Sequence, residues 1–263
     1  MKTPLLATLS AVLVLGSSSQ AQQGLSIVNP GFEADVIAAG TFQVPIPQGW
    51  SVYDPTSIIN QSNNAVGLIR PTAGLQTYFP GGTTEGNNAA LVFLAGAEPG
   101  EAGLQQTLSS TLVANTRYTL TVDIGNIASG TSVAGSAGGG GVFYDLDGFP
   151  GYRLDLLAAG AVIGSDNNSL AGSVPEGEFR TASFNVDIGA AHPQLGQALS
   201  IRLVNLHAPE TVPGVPNIEV DFDNVQLTAT VIPEPSTLTL LALGAGCGLL
   251  RRKTRQSSGR RGY

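Results

Sequence analysis

The sequence offers few of the residue combinations that carry enzyme chemistry. Its two histidines, His192 and His207, are not spaced as a metal-ligand pair, and the one cysteine, Cys247, lies in an apolar stretch near the C-terminus. The nucleophile elbow G-x-S-x-G, the zinc motif H-E-x-x-H and a phosphate-binding loop do not occur. Asp and Glu number 19, but no spacing singles out a catalytic pair. We therefore expect a non-enzymatic protein, with a glycan hydrolase that uses two carboxylates as an alternative.

One segment, 129–151, combines flexible backbone with aromatic and acidic side chains. Its four consecutive glycines favour a long loop between strands. Phe143, Tyr144 and Phe149 either line a ligand surface or fold back onto the body of the protein. The sequence D-L-D-G at 145–148 matches the start of a calcium loop, but the late glutamate is missing. Solvated turn residues are the alternative for these two aspartates.

Most of the sequence around these candidate residues has patterns typical of β-strands. Apolar residues alternate at 118–124, 184–188 and 201–205, and 89–94 is a short apolar run typical of a buried strand. The last strand is predicted at 219–227. Many short strands separated by Gly, Pro and Asn predict an all-β protein, an antiparallel β-sandwich of the jelly-roll type, over residues 22–230.

The charges divide the chain into an acidic body and a basic end. The net charge is −7, and the acids lie almost entirely between Gln22 and Thr230, where there is no lysine. Nucleic-acid binding needs basic patches, so we expect no nucleic-acid partner.

The N-terminus has the three parts of a secretory signal peptide. Lys2 supplies the positive charge, 5–15 is apolar, and small residues precede a cleavage site between Ala21 and Gln22. We therefore predict a signal peptide at 1–21, removed by signal peptidase.

The C-terminus also has three parts. Pro233-Glu234-Pro235 is stiff and excludes helix. Residues 236–250 are apolar and uncharged, which predicts a short transmembrane helix. The cations that follow are expected to stop transfer through the membrane and to begin a basic cytoplasmic tail that continues through 256–263. These membrane-anchor residues are Arg251, Arg252, Lys253 and Arg255.

This end of the chain, 231–255, resembles the PEP-CTERM sorting signal of bacterial surface proteins. The resemblance implies recognition by the membrane enzyme exosortase and cleavage near Pro233, Glu234 and Pro235. It also implies export, transient anchoring in the inner membrane, and a final location at the cell surface or outside the cell. An ordinary C-terminal tail anchor is the alternative.

The body resembles the galactose-binding-like jelly rolls, which include several carbohydrate-binding modules. The matching motifs are N-P-G-F-E at 29–33, G-W at 49–50 and D-N-V at 223–225. The resemblance implies that the first and last strands are neighbours. Trp50, like the three aromatics of 129–151, is a candidate for stacking on a sugar, and a core position is the alternative for it.

The same resemblance implies a structural calcium ion held by Glu33 and Asp223, with Asp221 or Asp35 as a further neighbour. Calcium takes about six to eight oxygen ligands, and carboxylates from distant parts of the sequence supply several. Two carboxylates side by side would also repel each other without a cation. The alternative is that both are solvated or accept hydrogen bonds from N–H groups of turns.

Three functions follow from these features. The first is an exported non-enzymatic surface or extracellular-matrix protein sorted by exosortase. The second is a carbohydrate-binding module for an extracellular polysaccharide, and the third is the glycan hydrolase on the same scaffold.

Overall fold

The structure is a computed structural model that describes residues 21–59, 63–72, 78–96, 99–208 and 213–233. The predicted signal peptide, apart from Ala21, and the predicted membrane helix at 236–250 lie outside these ranges. Within them, no helix is long and apolar enough to span a membrane.

The described residues form strands and contain no helix. The strands are β1 (Gln23–Gly24), β2 (Phe42–Gln43), β3 (Ser51–Tyr53), β4 (Asn64–Ile69), β5 (Ala89–Leu94), β6 (Ala102–Thr111), β7 (Thr116–Asn126), β8 (Gly130–Thr131), β9 (Phe143–Tyr144), β10 (Tyr152–Ala158), β11 (Ala161–Asn167), β12 (Glu178–Ile188), β13 (Ala198–Asn205) and β14 (Glu219–Val231). The strands predicted at 89–94, 118–124 and 219–227 coincide with β5, β7 and β14.

Two antiparallel sheets make up the body. The seven-stranded sheet has the order β12-β7-β14-β5-β4-β2, with β1 paired to β14, and the five-stranded sheet has the order β11-β10-β13-β6-β3. One core cluster joins them, with Leu120, Val122 and Phe222 from the first sheet and Leu154 and Leu203 from the second. The predicted all-β antiparallel sandwich is therefore confirmed.

The two ends of the body meet as the sequence predicted. Strand β1 pairs with β14 through Gln23 and Ala229, and the N–H of Val225 donates to the carbonyl of Pro30 at 3.0 Å. The N-terminal motif thus lies beside the last strand.

A bulge in β14 keeps both of its halves correctly oriented. The pairing of β14 with β7 shifts between Asp223 and Gln226, and Asn224 has a φ of 50°. The extra residue lets Phe222 and Val225 both reach the core although they are three positions apart. Without it, one half of the strand would turn its apolar side chains outward.

A second, smaller apolar cluster lies on the outer face of the seven-stranded sheet. It contains Ile69, Tyr78, Leu91 and Leu146, with Tyr144 packed against it. Tyr144 and Leu146 come from the glycine-rich segment 129–151, in which β8 and β9 form a small two-stranded sheet. This segment therefore covers the outer face of the seven-stranded sheet, and we call it the roof segment.

Candidate functional site

Strand β14 places acidic residues on one face and apolar residues on the other. Val220 and Phe222 are fully buried between the two sheets. Glu219, Asp221 and Asp223 alternate with them and so face the outer side of the seven-stranded sheet. All three are nevertheless buried, because the segments that cover this face shield them from water.

A cavity of about 440 Å³ lies between this outer face and the roof segment. Its aromatic rings are arranged edge to face: Phe42 meets Tyr78 at 6.4 Å and Tyr144 at 5.3 Å between ring centroids. Glu219 is the one charged residue among the described residues that line it. The apolar side chains of the lining include Phe42, Ile69, Leu91, Phe93 and Leu146.

Burial favours the protonated form of Glu219 at neutral pH. Its side chain lies in apolar surroundings with a residue exposure of 5%. Burial disfavours the charged form and raises the pKa of Glu219 to about 8. A protonated carboxyl group in an apolar cavity can donate a hydrogen bond or a proton to a bound molecule.

Asp221 is the next residue along the acidic face and is completely buried. Neither of its carboxyl oxygens has a hydrogen-bond partner among the described residues. Burial raises its pKa well above the usual value, and the neighbouring carboxyl group of Glu219 adds to the rise. Gly125 leaves room for it, since a Cβ there would lie 2.7 Å from the Phe179 ring and 2.9 Å from the Cβ of Asp221.

Glu33 and Asp223 are both held by one turn, at 84–88. Asp223 accepts the N–H groups of Thr84 and Glu85 at 2.9 and 2.8 Å. Glu33 accepts those of Asn87 and Asn88 at 2.6 and 2.5 Å. Burial raises the pKa of Asp223 to about 6, although the hydrogen bonds that it accepts from Glu85 and Thr84 oppose the rise.

Neither carboxylate needs a cation in this arrangement, because backbone donors already satisfy both. The described residues contain no group of three or more His, Cys, Asp or Glu side chains that could hold a metal ion. The predicted calcium site stays a prediction.

Thermal melts test the calcium prediction. A bound ion at a hundredfold excess over its Kd adds about 2.7 kcal/mol to the free energy of unfolding. Calcium would then raise the melting temperature by several degrees, chelator would reverse the rise, and Asp223→Ala would remove the response. An equal rise with sodium chloride of matched ionic strength, kept in Asp223→Ala, would instead indicate screening of the acidic body.

The predicted aromatic ligand residues separate into different environments. Tyr144 lines the cavity, whereas Phe143, its neighbour in β9, is 65% exposed. Phe149 packs against the core between the sheets. Trp50 lies in that core with its ring 5.5 Å from Phe32, and its indole N–H donates to the carbonyl of Asn29 at 3.1 Å. The structure thus gives Trp50 the alternative, packing role.

Of the predicted sorting residues, the structure describes only Pro233. Glu234 and Pro235 lie outside the described residues, and so do Arg251, Arg252, Lys253 and Arg255.

The sequence alone does not identify Glu219 or Tyr78 as site residues. The signal for Glu219 is the pattern E-V-D-F-D at 219–223, which puts three acids on one strand face. Such a face is ordinarily solvated, so the pattern alone does not show that the acids are buried. Nothing in the sequence around Tyr78 marks it.

Comparison with known proteins identifies a family for the body and a sorting motif for the C-terminus. The family model described as HpiC1 cyclase, HpiC1-like, matches residues 23–228. The PEP-CTERM protein-sorting motif matches residues 231–253. No curated protein gives a match.

Two similar solved structures are cyclases from Fischerella sp. TAU. One is the Stig cyclase Fisc in complex with (3Z)-3-(1-methyl-2-pyrrolidinylidene)-3H-indole. It is 35% identical with a TM-score of 0.66, over 81% of this chain and 100% of that one. The other is a cyclase in complex with 4-(1H-indol-3-yl)butan-2-one, 36% identical with a TM-score of 0.65, over the same shares of the two chains. The galactotriose complex of TmCBM61 is more distant, with 15% identity and a TM-score of 0.40 over 76% of this chain and 94% of that one.

Proposed function

Because the chain belongs to the HpiC1 cyclase-like family, we propose that its body binds a small aromatic molecule and acts on it by acid catalysis. The observation that carries the proposal is Glu219, a protonated carboxyl group in a cavity otherwise lined by apolar and neutral side chains. The catalytic residue is Glu219, acting as the general acid.

The size and lining of the cavity define the ligand class. Ligand pockets of roughly 300–1,000 Å³ hold drug-sized molecules, and this one is near the lower limit at about 440 Å³. Edge-to-face rings at Phe42 and Tyr144 suit a flat aromatic ligand. The molecules bound by the two Fischerella cyclases, both built on an indole, are of this kind.

The proposed reaction is an isomerisation that closes a ring. Glu219 transfers its proton to the ligand, which becomes a cation. An unsaturated side chain of the ligand then forms the new carbon–carbon bond, and a proton returns to the carboxylate. Nothing is oxidised or reduced, and the apolar walls exclude water that would capture the cation.

The C-terminus supports a proposal for where this activity takes place. The PEP-CTERM motif indicates an exported protein that is anchored at the membrane and processed by exosortase. We propose that the folded body acts at the cell surface or outside the cell after this processing.

The test is incubation of the protein with indoles that carry unsaturated side chains at C3, followed by mass spectrometry. We expect a product of unchanged mass and altered retention time. Glu219→Gln keeps the shape of the side chain but has no acidic proton, so product formation should fall about 10²- to 10⁴-fold.

The outcomes separate this proposal from the other functions. Indole binding without a new isomer, equal in wild type and Glu219→Gln, would support the expected non-enzymatic body with a ligand site. Selective binding on a glycan array, with no affinity for indoles, would support the carbohydrate-binding alternative. Unchanged turnover in Glu219→Gln would remove Glu219 from the reaction.

A further inference from the structure

Tyr78 is a buried tyrosine whose hydroxyl group has no partner. The residue is 1% exposed, and its hydroxyl oxygen makes no hydrogen bond to the described residues. Two other fully buried tyrosines are satisfied. Tyr152 donates to Asp166 at 2.7 Å, and the hydroxyl of Tyr118 accepts the N–H of Val113 at 2.9 Å. Since an unsatisfied buried hydroxyl costs free energy, its presence at Tyr78 requires a reason.

The position of Tyr78 supplies that reason. Its side chain lines the same cavity as Glu219, and its ring is fixed edge-on against Phe42. Burial, and after it the neighbouring Glu219 carboxyl, raise the pKa of Tyr78 to about 12. The phenol therefore keeps its proton and presents a free donor to whatever occupies the cavity.

We infer that Tyr78 is a specificity-determining residue whose hydroxyl group donates a hydrogen bond to an acceptor atom of the ligand. The inference rests on the proposed function and narrows its ligand class. The ligand must carry a hydrogen-bond acceptor in addition to its aromatic ring system. A ligand without the acceptor leaves the phenol unsatisfied and is expected to bind more weakly.

A pair of indoles tests this inference. The probes are 4-(1H-indol-3-yl)butan-2-one, which has a ketone acceptor, and 3-butylindole, which lacks it, each titrated calorimetrically into the full-length protein. Wild type should bind the ketone about tenfold more tightly, as expected for one hydrogen bond. Tyr78→Phe, which removes only the hydroxyl group, should bind the two indoles with equal affinity.

Tyr118→Phe is the matched control, because it removes a hydroxyl group that is already partnered within the protein. It should lower the melting temperature and keep the tenfold preference. Tyr78→Phe should melt no lower than wild type, since the group removed has no partner to lose.

Each other result overturns the inference. A tenfold preference that survives in Tyr78→Phe would place the donor elsewhere, while leaving the proposed function intact. A Tyr78→Phe variant that melts well below wild type would show that the hydroxyl has a partner in the native protein. If neither indole binds to wild type, the proposed function fails and the role of Tyr78 fails with it.

Discussion

The free energy of unfolding should fall as the pH rises from about 5 to 8. Glu219 has a pKa of about 8 in the folded protein, against an ordinary value of 4.5. Between these two values the folded chain holds a proton that the unfolded chain releases. Stability then decreases with pH, by up to about 1.4 kcal/mol per pH unit for this one group. Asp221 and Asp223, whose pKa values burial also raises, add to the decrease.

Carboxyl groups whose pKa is lowered in the folded protein make it less stable at low pH. The Arg153 guanidinium lowers the pKa of Glu101, so the stability that this ion pair adds is lost as the pH falls through the lowered value. We therefore expect a stability maximum near pH 5, on the acid side of neutrality.

Glu219→Gln isolates the contribution of the buried acid. A neutral amide at this position does not titrate, so chemical denaturation at pH 8 should show the variant to be more stable than wild type by several kcal/mol, in order of magnitude. Glu178→Gln, which changes an exposed side chain on β12, is the matched control and should leave the pH profile unchanged. A wild-type stability that rises from pH 5 to 8 would show that Glu219 is ionised in the folded protein, and would contradict its proposed role as an acid.

The second large effect on stability is expected from replacing Asp155, which lies in the five-stranded sheet. This carboxylate is 1% exposed, lies 3.1 Å from Arg153 and 3.3 Å from Arg202, and accepts the hydroxyl of Ser165 at 2.9 Å. The Arg202 guanidinium also stacks 3.9 Å from the centre of the Tyr53 ring. Asp155→Ala would leave Arg202 with no carboxylate partner among the described residues. Breaking a buried ion pair in this way costs about 3–5 kcal/mol.

Thermal denaturation measures this loss. For a domain of about 200 residues, ~1 kcal/mol corresponds to ~2–4 °C, so Asp155→Ala should lower the melting temperature by roughly 6–20 °C. Asp187→Ala is the control, because it breaks an ion pair with Arg117 whose side chains are about half exposed. It should cost less than about 1 kcal/mol. Equal losses in the two variants would mean that burial at Asp155 adds nothing to the pair.

A double-mutant cycle measures the interaction between Asp155 and Arg202 separately from the other contacts of the two side chains. Removing both Asp155 and Arg202 should cost clearly less than the sum of the two single changes, because no buried charge is then left alone. Additive losses would show that the two side chains act independently.

The class of fold could be read from the sequence because its signals are local. Alternation in 118–124 predicts β7 without knowledge of any partner strand, since successive side chains of a strand face opposite sides. The meeting of the two ends was implied by motifs at 29–33 and 223–225. The bulge at Asn224 was not predicted, since a single extra residue leaves no separate mark in an apolar alternation.

The candidate site could not be read in the same way. Glu219 belongs to a run of alternating acids that ordinarily marks a solvated face, and Tyr78 lies outside every recognised motif. Trp50 and Tyr144 are both aromatic residues near glycines in the sequence, and the structure places Trp50 in the core and Tyr144 in the cavity. Both residues are aromatic, so residue type does not distinguish them. Their packing in the folded protein decides which one can contact a ligand.

The sequence by itself determined the strand class, the acidic body and the sorting signal, because each is a pattern of neighbouring residues. Only the tertiary structure decided which carboxyl groups are buried and therefore have raised pKa values. That outcome depends on the roof segment 129–151 folding back over the outer face of the seven-stranded sheet, which brings Tyr144 and Leu146 to Glu219 from more than 70 positions away. Burial by a distant segment raises the pKa of Glu219, and no local pattern encodes it.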